Sequence, residues 1–262
     1  MSTTHMPLKD KKGFICDMDG VIYHGNRLLD GVKDFVNWLI KENKQFLFLT
    51  NSSERSPREL SQKLARLGLD VPEDHFYTSA LATASFLAAQ KPGGSAYVIG
   101  EAGLINAIYA AGFSMNDVNP DYVVVGETPS YSYEKIERAV RLVLGGAKLI
   151  GTNPDLTGPN EKGIAPATKA LISPIELATG RQAYFIGKPN PLMMRHGIKR
   201  LGVNRDDAVI VGDRMDTDII AGIESDLDTV LVLTGVTNRE NMKLFPYQPM
   251  YILDGVKDIP NN

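Results

Sequence analysis

Two aspartates lie two residues apart directly after a short apolar run near the start of the chain. The run FIC occupies positions 14–16, Asp17 and Asp19 follow it, and Gly20 comes next. Alternate residues of an extended chain point to the same side, so both carboxylates are expected to face one place. A pair of carboxylates can divide the work of a nucleophile and a general acid/base. Gly20 lets the chain turn away tightly after them.

Polar residues also follow three other apolar runs. They are LTNSS with its polar positions 50–53, IGKPN with Lys188, and VGDRMDTD with Asp213, Asp216 and Asp218. Ligands of open α/β sheets bind at the carboxyl ends of the strands, so these stretches are expected to converge on one crevice. Together they offer carboxylates for a hard cation, hydroxyl and amide donors for phosphate oxygens, and one ammonium group. This set favours phosphoryl transfer.

Each stretch alone has an ordinary structural interpretation. An Asp-x-Asp pair is typical of a solvated turn, and a lone lysine such as Lys188 is usually exposed. The hydroxyls of LTNSS can cap backbone amides between a strand and a helix. The acidic fourth stretch can be a helix N-terminus favoured by the helix dipole. Only the occurrence of all four, in this order and each behind a strand, favours a shared site.

The elements that position these residues alternate along the chain. The runs GFIC, GVKDFVNWLIKEN, QFLFLTN and PRELSQKLARLGL change between short apolar and helical periodicity, which predicts βαβ units and a parallel sheet. Asp30 is predicted to cap the first helix. The second is predicted to begin at Ser56 and Pro57 and to end at Gly68.

A second α/β series begins at about Ala96, with AYVIG, LINAIYAAG, DYVVVG and SYEKIERAVRLVLGG. The Pro- and Gly-containing stretch 90–96 could link it to the first series. We therefore predict an α/β protein with a doubly wound parallel sheet, interrupted by an inserted α/β domain. The predicted bounds are 1–81 for the first part of the core, 82–182 for the insertion and 183–262 for the second part of the core.

Composition narrows the class of protein. The chain has 262 residues, 43% of them hydrophobic and 23% charged, as in an ordinary globular protein. The net charge is -3, with no basic cluster, which argues against a nucleic acid polymer as partner. The single cysteine, Cys16, cannot form an internal disulfide and favours the reducing cytoplasm. No apolar run reaches the roughly 18 residues of a membrane span, and the start lacks the apolar core of a signal peptide.

The four motifs together resemble those of the haloacid dehalogenase (HAD) superfamily of phosphatases. DMDGV, the threonine of FLTN, the lysine of GKP and GDRMDTDI are similar to its first to fourth motifs, and the match spans about 14–235. Longer stretches, among them LTNSSERSP, TNPDLTGPNEKG and GKPNPLMM, are similar to the NagD-like branch. That branch carries a large α/β cap between the second and third motifs of a HAD-like Rossmannoid core.

The sequence departs from the pattern of the branch in two places. Residues 167–169, Ala-Thr-Lys, stand where a small, glycine-bearing turn is expected, which bears on substrate preference carried by the cap. Asp226 stands where glycine is usual after the helix of the fourth motif, which bears on local backbone shape.

The resemblance implies a role for each motif residue. Asp17 would be the nucleophile that forms an aspartyl-phosphate, and Asp19 the general acid/base, with a raised pKa. Mg²⁺ would be held by Asp17, the backbone carbonyl of Asp19, and Asp213. Asp218 would lie in the next shell and hold a metal-bound water or Lys188.

The remaining implied roles concern binding. Thr50 and the amide of Asn51 would hold phosphate oxygens, and Lys188 would offset negative charge. The cap would exclude water and read the leaving group. The candidate residues for that reading are Asn153, Asp155 and Lys162.

The implied activity is that of a Mg²⁺-dependent phosphatase acting on a small phosphorylated metabolite, a sugar phosphate or a nucleoside monophosphate. Relatives often pair through their caps, which implies a homo-oligomer. A phosphomutase would share every catalytic residue and stays open. A receiver-type phospho-switch would need neither the second aspartate nor an inserted domain, and a dehalogenase would need no metal. Nucleotide-binding proteins of the P-loop or dinucleotide type would show glycine motifs that this chain lacks.

Overall fold

The computed structural model describes residues 6–160 and 163–262, and these form an α/β fold. The strands and helices follow one another in this order: β1 Gly13–Cys16, β2 Tyr23–His24, β3 Arg27–Leu28, α1 Val32–Lys41, β4 Gln45–Thr50, α2 Pro57–Arg66, β5 Phe76–Thr78, α3 Ser79–Gln90, β6 Ser95–Ile99, α4 Ala102–Ala110, β7 Ser114–Met115, β8 Tyr122–Val125, α5 Tyr133–Leu144, β9 Lys148–Gly151, β10 Thr157–Asn160, β11 Gly163–Pro166, α6 Thr168–Thr179, β12 Tyr184–Phe185, α7 Pro191–Leu201, β13 Ala208–Gly212, α8 Ile220–Glu224, β14 Asp228–Val232 and β15 Tyr251–Leu253. A π-helical turn, Met215–Ile219, leads into α8.

The chain divides into two compact units. The first unit comprises Met1–Leu49, Lys63–Phe76 and Pro191–Asn262, and the second comprises Thr50–Gln62 and Tyr77–Asn190. The sheet of the first unit has the strand order β15-β14-β13-β1-β4-β5. β1 pairs in parallel with both β13 and β4, and all four of its residues are buried. Burial on both faces is what a central parallel strand requires.

Aromatic side chains fill the core of the first unit between β1 and α1. Phe14 of β1 meets Phe35 and Trp38 of α1 at ring-centroid distances of 6.1 and 5.6 Å, both edge-on. Edge-to-face contact is a favoured geometry for aromatic pairs. The apolar residues of α1 therefore cover one face of the central strand. Ile40, near the end of α1, is an exception, because it is 58% exposed.

The second unit has its own parallel sheet, with the order β12-β9-β8-β6-β7. Its core includes Val123 and Val125 of β8, Val143 of α5 and Ile172 of α6. Strands β10 and β11 form a separate antiparallel hairpin. The second unit is thus an α/β layer in itself.

The predicted α/β class with parallel sheets is confirmed. The predicted domain bounds 1–81, 82–182 and 183–262 stay a prediction. The stretch 90–96, expected as a linker, lies inside the second unit, where it turns from α3 into β6.

The helix-end predictions had mixed outcomes. Ser56 caps α2 as predicted: its hydroxyl accepts the Glu59 N–H, and the Glu59 carboxylate accepts the Ser56 N–H at 2.8 Å. Gly68 follows the end of α2 with a φ of +81°. The Asp30 cap was wrong, because Gly31 precedes α1 with no side-chain cap and Asp30 instead accepts a hydrogen bond from Lys257.

Asp226 adopts the backbone shape that its position requires. Its φ is +56°, in the left-handed region where glycine is usual. Aspartate, like asparagine, occasionally adopts this conformation as a single residue. The departure from glycine therefore leaves the turn after α8 intact.

None of the helices in residues 6–160 and 163–262 is long and apolar enough to cross a membrane.

Candidate functional site

Asp17 extends the central strand of the first unit by one residue. Its N–H donates to the carbonyl of Val211 at 2.9 Å, which continues the pairing of β1 with β13. The preceding residue, Cys16, is fully buried, and burial, followed by the Asp17 charge, raises the pKa of its thiol. Asp17 itself is half-buried. Asp17 therefore lies where the buried central strand ends, at the carboxyl end of the sheet.

The turn after Asp17 is fixed by its glycine. Gly20 has a φ of +80° and donates its N–H to the carbonyl of Tyr23 at 2.9 Å. Its own carbonyl accepts the Thr234 hydroxyl at 2.6 Å. A Cβ on Gly20 would lie 2.6 Å from Asp213 Oδ2, so only glycine fits there. Asp19 is half-buried within this turn.

Asp213 follows β13 and is only 2% exposed. Its Oδ2 accepts the N–H of Val236 at 2.7 Å. A Cβ on Gly235 would lie 2.0 Å from the same oxygen, so the backbone there must approach closely. The carboxylate of Asp213 is therefore held in one orientation by the chain around it.

Asp218 is completely buried in the π-helical turn before α8. Its Oδ2 accepts the N–H of Arg214 at 3.2 Å. Gly212 makes room for it, because a Cβ at that position would lie 2.1 Å from the Cβ of Asp218. Sequence spacing alone would place this residue one turn into a helix. In the structure it lies in the π-helical turn, directly against Gly212 at the end of β13.

The carboxylates of Asp17, Asp213 and Asp218 form one group in the first unit. Each offers an oxygen, and these oxygens lie within 4.8 Å of one another. Among the residues that the structure describes, Asp19 offers no carboxylate to this group. Three negative charges so close together, two of them buried, repel one another unless a cation offsets them. All-oxygen carboxylate sites suit hard divalent cations, so the donor set fits a metal such as Mg²⁺.

The second unit holds the other predicted binding residues, beginning with Thr50 at the end of β4. The Thr50 hydroxyl accepts the N–H of Ser52 at 3.1 Å. A hydroxyl that accepts one hydrogen bond can still donate its own proton. Thr50 therefore keeps a donor suited to an anionic oxygen.

Asn51 binds the main chain of Lys188 on both sides of its amide. Its Oδ1 accepts the N–H of Lys188 at 2.7 Å, and its Nδ2 donates to the carbonyl of Lys188 at 3.0 Å and to Asp155 Oδ2 at 3.0 Å. Lys188 is 2% exposed. Gly187 permits this approach, because its Cβ would lie 2.7 Å from Asn51 Oδ1. The sequence analysis assigned a phosphate-binding role to the backbone amide of Asn51. In the structure, its side chain makes the hydrogen bonds to the main chain of Lys188.

The three cap candidates differ in their surroundings. Asn153 is fully buried, and its Nδ2 donates to the carbonyl of Asn51 at 2.7 Å. Its Oδ1 accepts the N–H of Asp155 at 3.1 Å. Asp155 is half-buried, and Lys162 lies outside the described residues. Asn153 thus shapes the loop between β9 and β10.

Sequence reasoning missed Glu127, which follows β8. Its carboxylate accepts hydrogen bonds from both the N–H and the hydroxyl of Ser53, at 3.2 and 2.5 Å. The other oxygen accepts the Asn153 Nδ2–H. Burial raises the pKa of Glu127, and the hydrogen bonds from Ser53 and Asn153 oppose that shift. A polar residue behind a buried strand was the available signal, the same one that singled out Asp17.

Comparison with known families decides the identity. A family model described as haloacid dehalogenase-like hydrolase matches residues 14–114, and a second, described as HAD-hydrolase-like, matches residues 185–259. The chain belongs to the haloacid dehalogenase-like hydrolase family. The family assignment made from the four motifs is therefore confirmed.

Individual HAD relatives are similar over nearly the whole chain. Dihydroxyacetone phosphatase of Corynebacterium glutamicum (strain R) is 44% identical over 246 residues, which cover 94% of this chain and 90% of the relative. Ribonucleotide monophosphatase NagD of Escherichia coli (strain K12) is 41% identical over 248 residues, or 95% of this chain and 98% of the relative. The solved structure of NagD from E. coli K-12 matches with a TM-score of 0.89 at 40% identity, covering 97% of this chain and 98% of that one.

These similarities confirm the NagD-like branch. They also establish the reaction class, because these relatives are named phosphatases. The chain is therefore a HAD enzyme that hydrolyses phosphoric monoesters.

Proposed function

We propose that this enzyme is a Mg²⁺-dependent phosphatase of small phosphomonoesters that works through an aspartyl-phosphate on Asp17. The observation that carries the proposal is the group formed by Asp17, Asp213 and Asp218, with oxygens within 4.8 Å of one another. Asp17 is the half-buried member, and it lies at the end of the central strand, while the other two are buried. The partly exposed carboxylate of Asp17 can therefore meet a substrate, and the group as a whole carries negative charge that a divalent cation would offset.

Asp17, Asp213 and the backbone carbonyl of Asp19 would hold the metal, with Asp218 adding its charge beside them. When bound, Mg²⁺ offsets the negative charge of the carboxylates and the phosphate and polarises a phosphoryl oxygen. The fixed orientation of Asp213, set by Val236 and by the close approach of the backbone, supports a ligand role.

The first chemical step transfers the phosphoryl group to the protein. A carboxylate oxygen of Asp17 attacks phosphorus, and the bond from phosphorus to the leaving oxygen breaks. Asp19, in its protonated form, gives its proton to that leaving oxygen. The half-buried position of Asp19, in the turn that Gly20 fixes directly after Asp17, supports this role.

The second step returns the enzyme to its starting state. Asp19, now ionised, takes a proton from a water molecule whose oxygen attacks phosphorus. The bond from phosphorus to Asp17 breaks and orthophosphate leaves. Thr50 and the amide of Asn51 would donate to phosphate oxygens, and the Lys188 ammonium would offset their charge. The hydroxyl proton left available on Thr50 supports its part.

The substrate class is a sugar phosphate or a nucleoside monophosphate. Two of the relatives carry the names dihydroxyacetone phosphatase and ribonucleotide monophosphatase, and both resemble this chain over more than nine-tenths of its length. The loop that contains Asn153 and Asp155, with Lys162, would read the leaving group. A homo-oligomer formed through the predicted cap and a cytoplasmic location also stay proposals.

The proposal is tested by phosphate release from a panel of triose, pentose and hexose phosphates, nucleoside monophosphates and 4-nitrophenyl phosphate. We expect release with Mg²⁺ and at least about a tenfold loss when EDTA removes the metal, because uncompensated carboxylates repel the phosphate. Restoring Mg²⁺ should restore the rate. Release that ignored EDTA, or an isomeric sugar phosphate formed in place of orthophosphate, would contradict the proposal.

Asp213→Asn should raise the Mg²⁺ concentration for half-maximal activity by roughly tenfold or more, because one ligand charge is lost. The amide still offers an oxygen to the Val236 N–H, so the local chain keeps its hydrogen bond. Asp216→Asn is the matched control, because that carboxylate binds Arg214 and lies outside the carboxylate group. A metal titration of Asp213→Asn that overlays the wild type would place the cation elsewhere.

A further inference from the structure

Glu127 is a carboxylate of the second unit that the proposed mechanism does not use. It is partly buried and lies two residues after the end of β8. It nevertheless accepts three hydrogen bonds, two from Ser53 and one from Asn153. Gly126, just before it, lies so close to Ser53 that its Cβ would be 2.5 Å from the serine Oγ. The residues that follow β8 therefore pack closely against the segment that follows Thr50.

The hydrogen bonds of Glu127 close a ring between two loops. Ser53 belongs to the segment after β4, and Asn153 to the loop after β9. The same Asn153 amide nitrogen that donates to Glu127 also donates to the carbonyl of Asn51, two residues before Ser53. Thr152 adds a hydroxyl contact to Ser53 at 3.3 Å. Glu127 and Asn153 thus hold the backbone of 51–53 from one side.

The ring requires a group that accepts hydrogen bonds at both ends. One Glu127 oxygen faces the two donors of Ser53, and the other faces the amide of Asn153. An ionised carboxylate is an acceptor only, whereas a glutamine presents an NH₂ group at one end. In either orientation that NH₂ group would meet a donor. Glutamine therefore fits the volume but cannot complete the ring.

We propose that Glu127 is a positioning residue that fixes the phosphate-binding segment 50–53 and ties it to the loop containing Asn153 and Asp155. It acts through Ser53 and Asn153, without touching the substrate. Both the affinity for phosphate and the choice of leaving group then depend on it. This inference rests on the proposed function, which assigns those two loops to phosphate and leaving group.

Glu127→Gln tests the proposal through phosphate affinity. We expect the inhibition constant of orthophosphate and the KM of each phosphomonoester to rise about tenfold, with a smaller change in kcat. The ranking of leaving groups should also change, because the loop of Asn153 loses its tie. Glu101→Gln is the matched control. The Glu101 carboxylate also accepts a hydrogen bond from a nearby hydroxyl, but its donor is Thr128, which belongs neither to segment 50–53 nor to the loop of Asn153. Orthophosphate inhibition and KM values within about twofold of the wild type would overturn the proposal.

A second variant keeps the test independent of the folding of Glu127→Gln. Ser53→Ala removes the hydroxyl donor but leaves the backbone donor, so orthophosphate inhibition should weaken about threefold. In the double variant the two effects should be clearly less than additive, because both changes weaken the same ring of hydrogen bonds. Full additivity of the two changes, or an unchanged inhibition constant in Ser53→Ala, would show that the ring does not position the segment.

Failure of this inference can be told apart from failure of the proposed function. Calorimetric binding of orthophosphate to wild type and Glu127→Gln needs no turnover. If the wild type hydrolyses no phosphomonoester, the proposed function fails, and the binding comparison still decides the role of Glu127. If turnover is normal and metal-dependent in both proteins, with equal phosphate affinity, only the positioning role fails.

Discussion

Asp17→Asn should lose at least ~10⁴-fold in kcat with every phosphomonoester, because an amide cannot attack phosphorus to form an acyl phosphate. The substitution keeps the size of the side chain and one oxygen. The backbone N–H of residue 17 still donates to the Val211 carbonyl, so the strand is undisturbed. We therefore expect a folded protein whose melting temperature stays close to that of the wild type.

The measurement is phosphate release by freshly purified protein whose mass confirms that the amide is intact. Asp34→Asn is the control, since that aspartate is exposed on α1 and has no predicted role. It should retain full activity. More than about 1% of wild-type turnover in Asp17→Asn, with no contaminating phosphatase, would refute the nucleophile. A loss of both turnover and folded structure would instead show that Asp17 serves the fold.

Strand-end residues of this chain were predictable because their signal is local. Asp17 and Asp213 each follow an apolar run, and the structure places them at the ends of the paired strands β1 and β13. The Ser56 cap was equally local, since its partner Glu59 is three residues away. Parallel pairing then brings the strand ends together without further sequence information.

Contacts between distant parts of the chain were not predictable in the same way. Asp30 was expected to cap α1, but its partner Lys257 lies 227 positions away. Asn51 and Asp155 are separated by 104 positions, and Ser53 and Glu127 by 74. Nothing in spacing or periodicity fixes which side chain of one loop faces which side chain of another. The side-chain networks that hold the candidate site therefore came only from the structure.

Asp19→Asn should lower kcat by about 10²- to 10⁴-fold for alkyl phosphates, because their leaving oxygen needs a proton that an amide does not provide. The loss in the first step should be smaller for 4-nitrophenyl phosphate, whose leaving group departs as a stable anion. The second step lacks its base with either substrate. The aspartyl-phosphate on Asp17 should therefore accumulate when the aryl substrate is used.

Rapid quenching with radiolabelled 4-nitrophenyl phosphate measures that accumulation as protein-bound label that hydroxylamine releases. The double variant Asp17→Asn/Asp19→Asn is the control, and it should carry no label because the acceptor oxygen is gone. A general acid/base thus predicts two linked results, a leaving-group-dependent first step and a trapped intermediate. If Asp19 only supports the turn around Gly20, the substitution should lower the rates of hydrolysis of both substrates equally, and no aspartyl-phosphate should accumulate. That result would exclude Asp19 as the general acid/base.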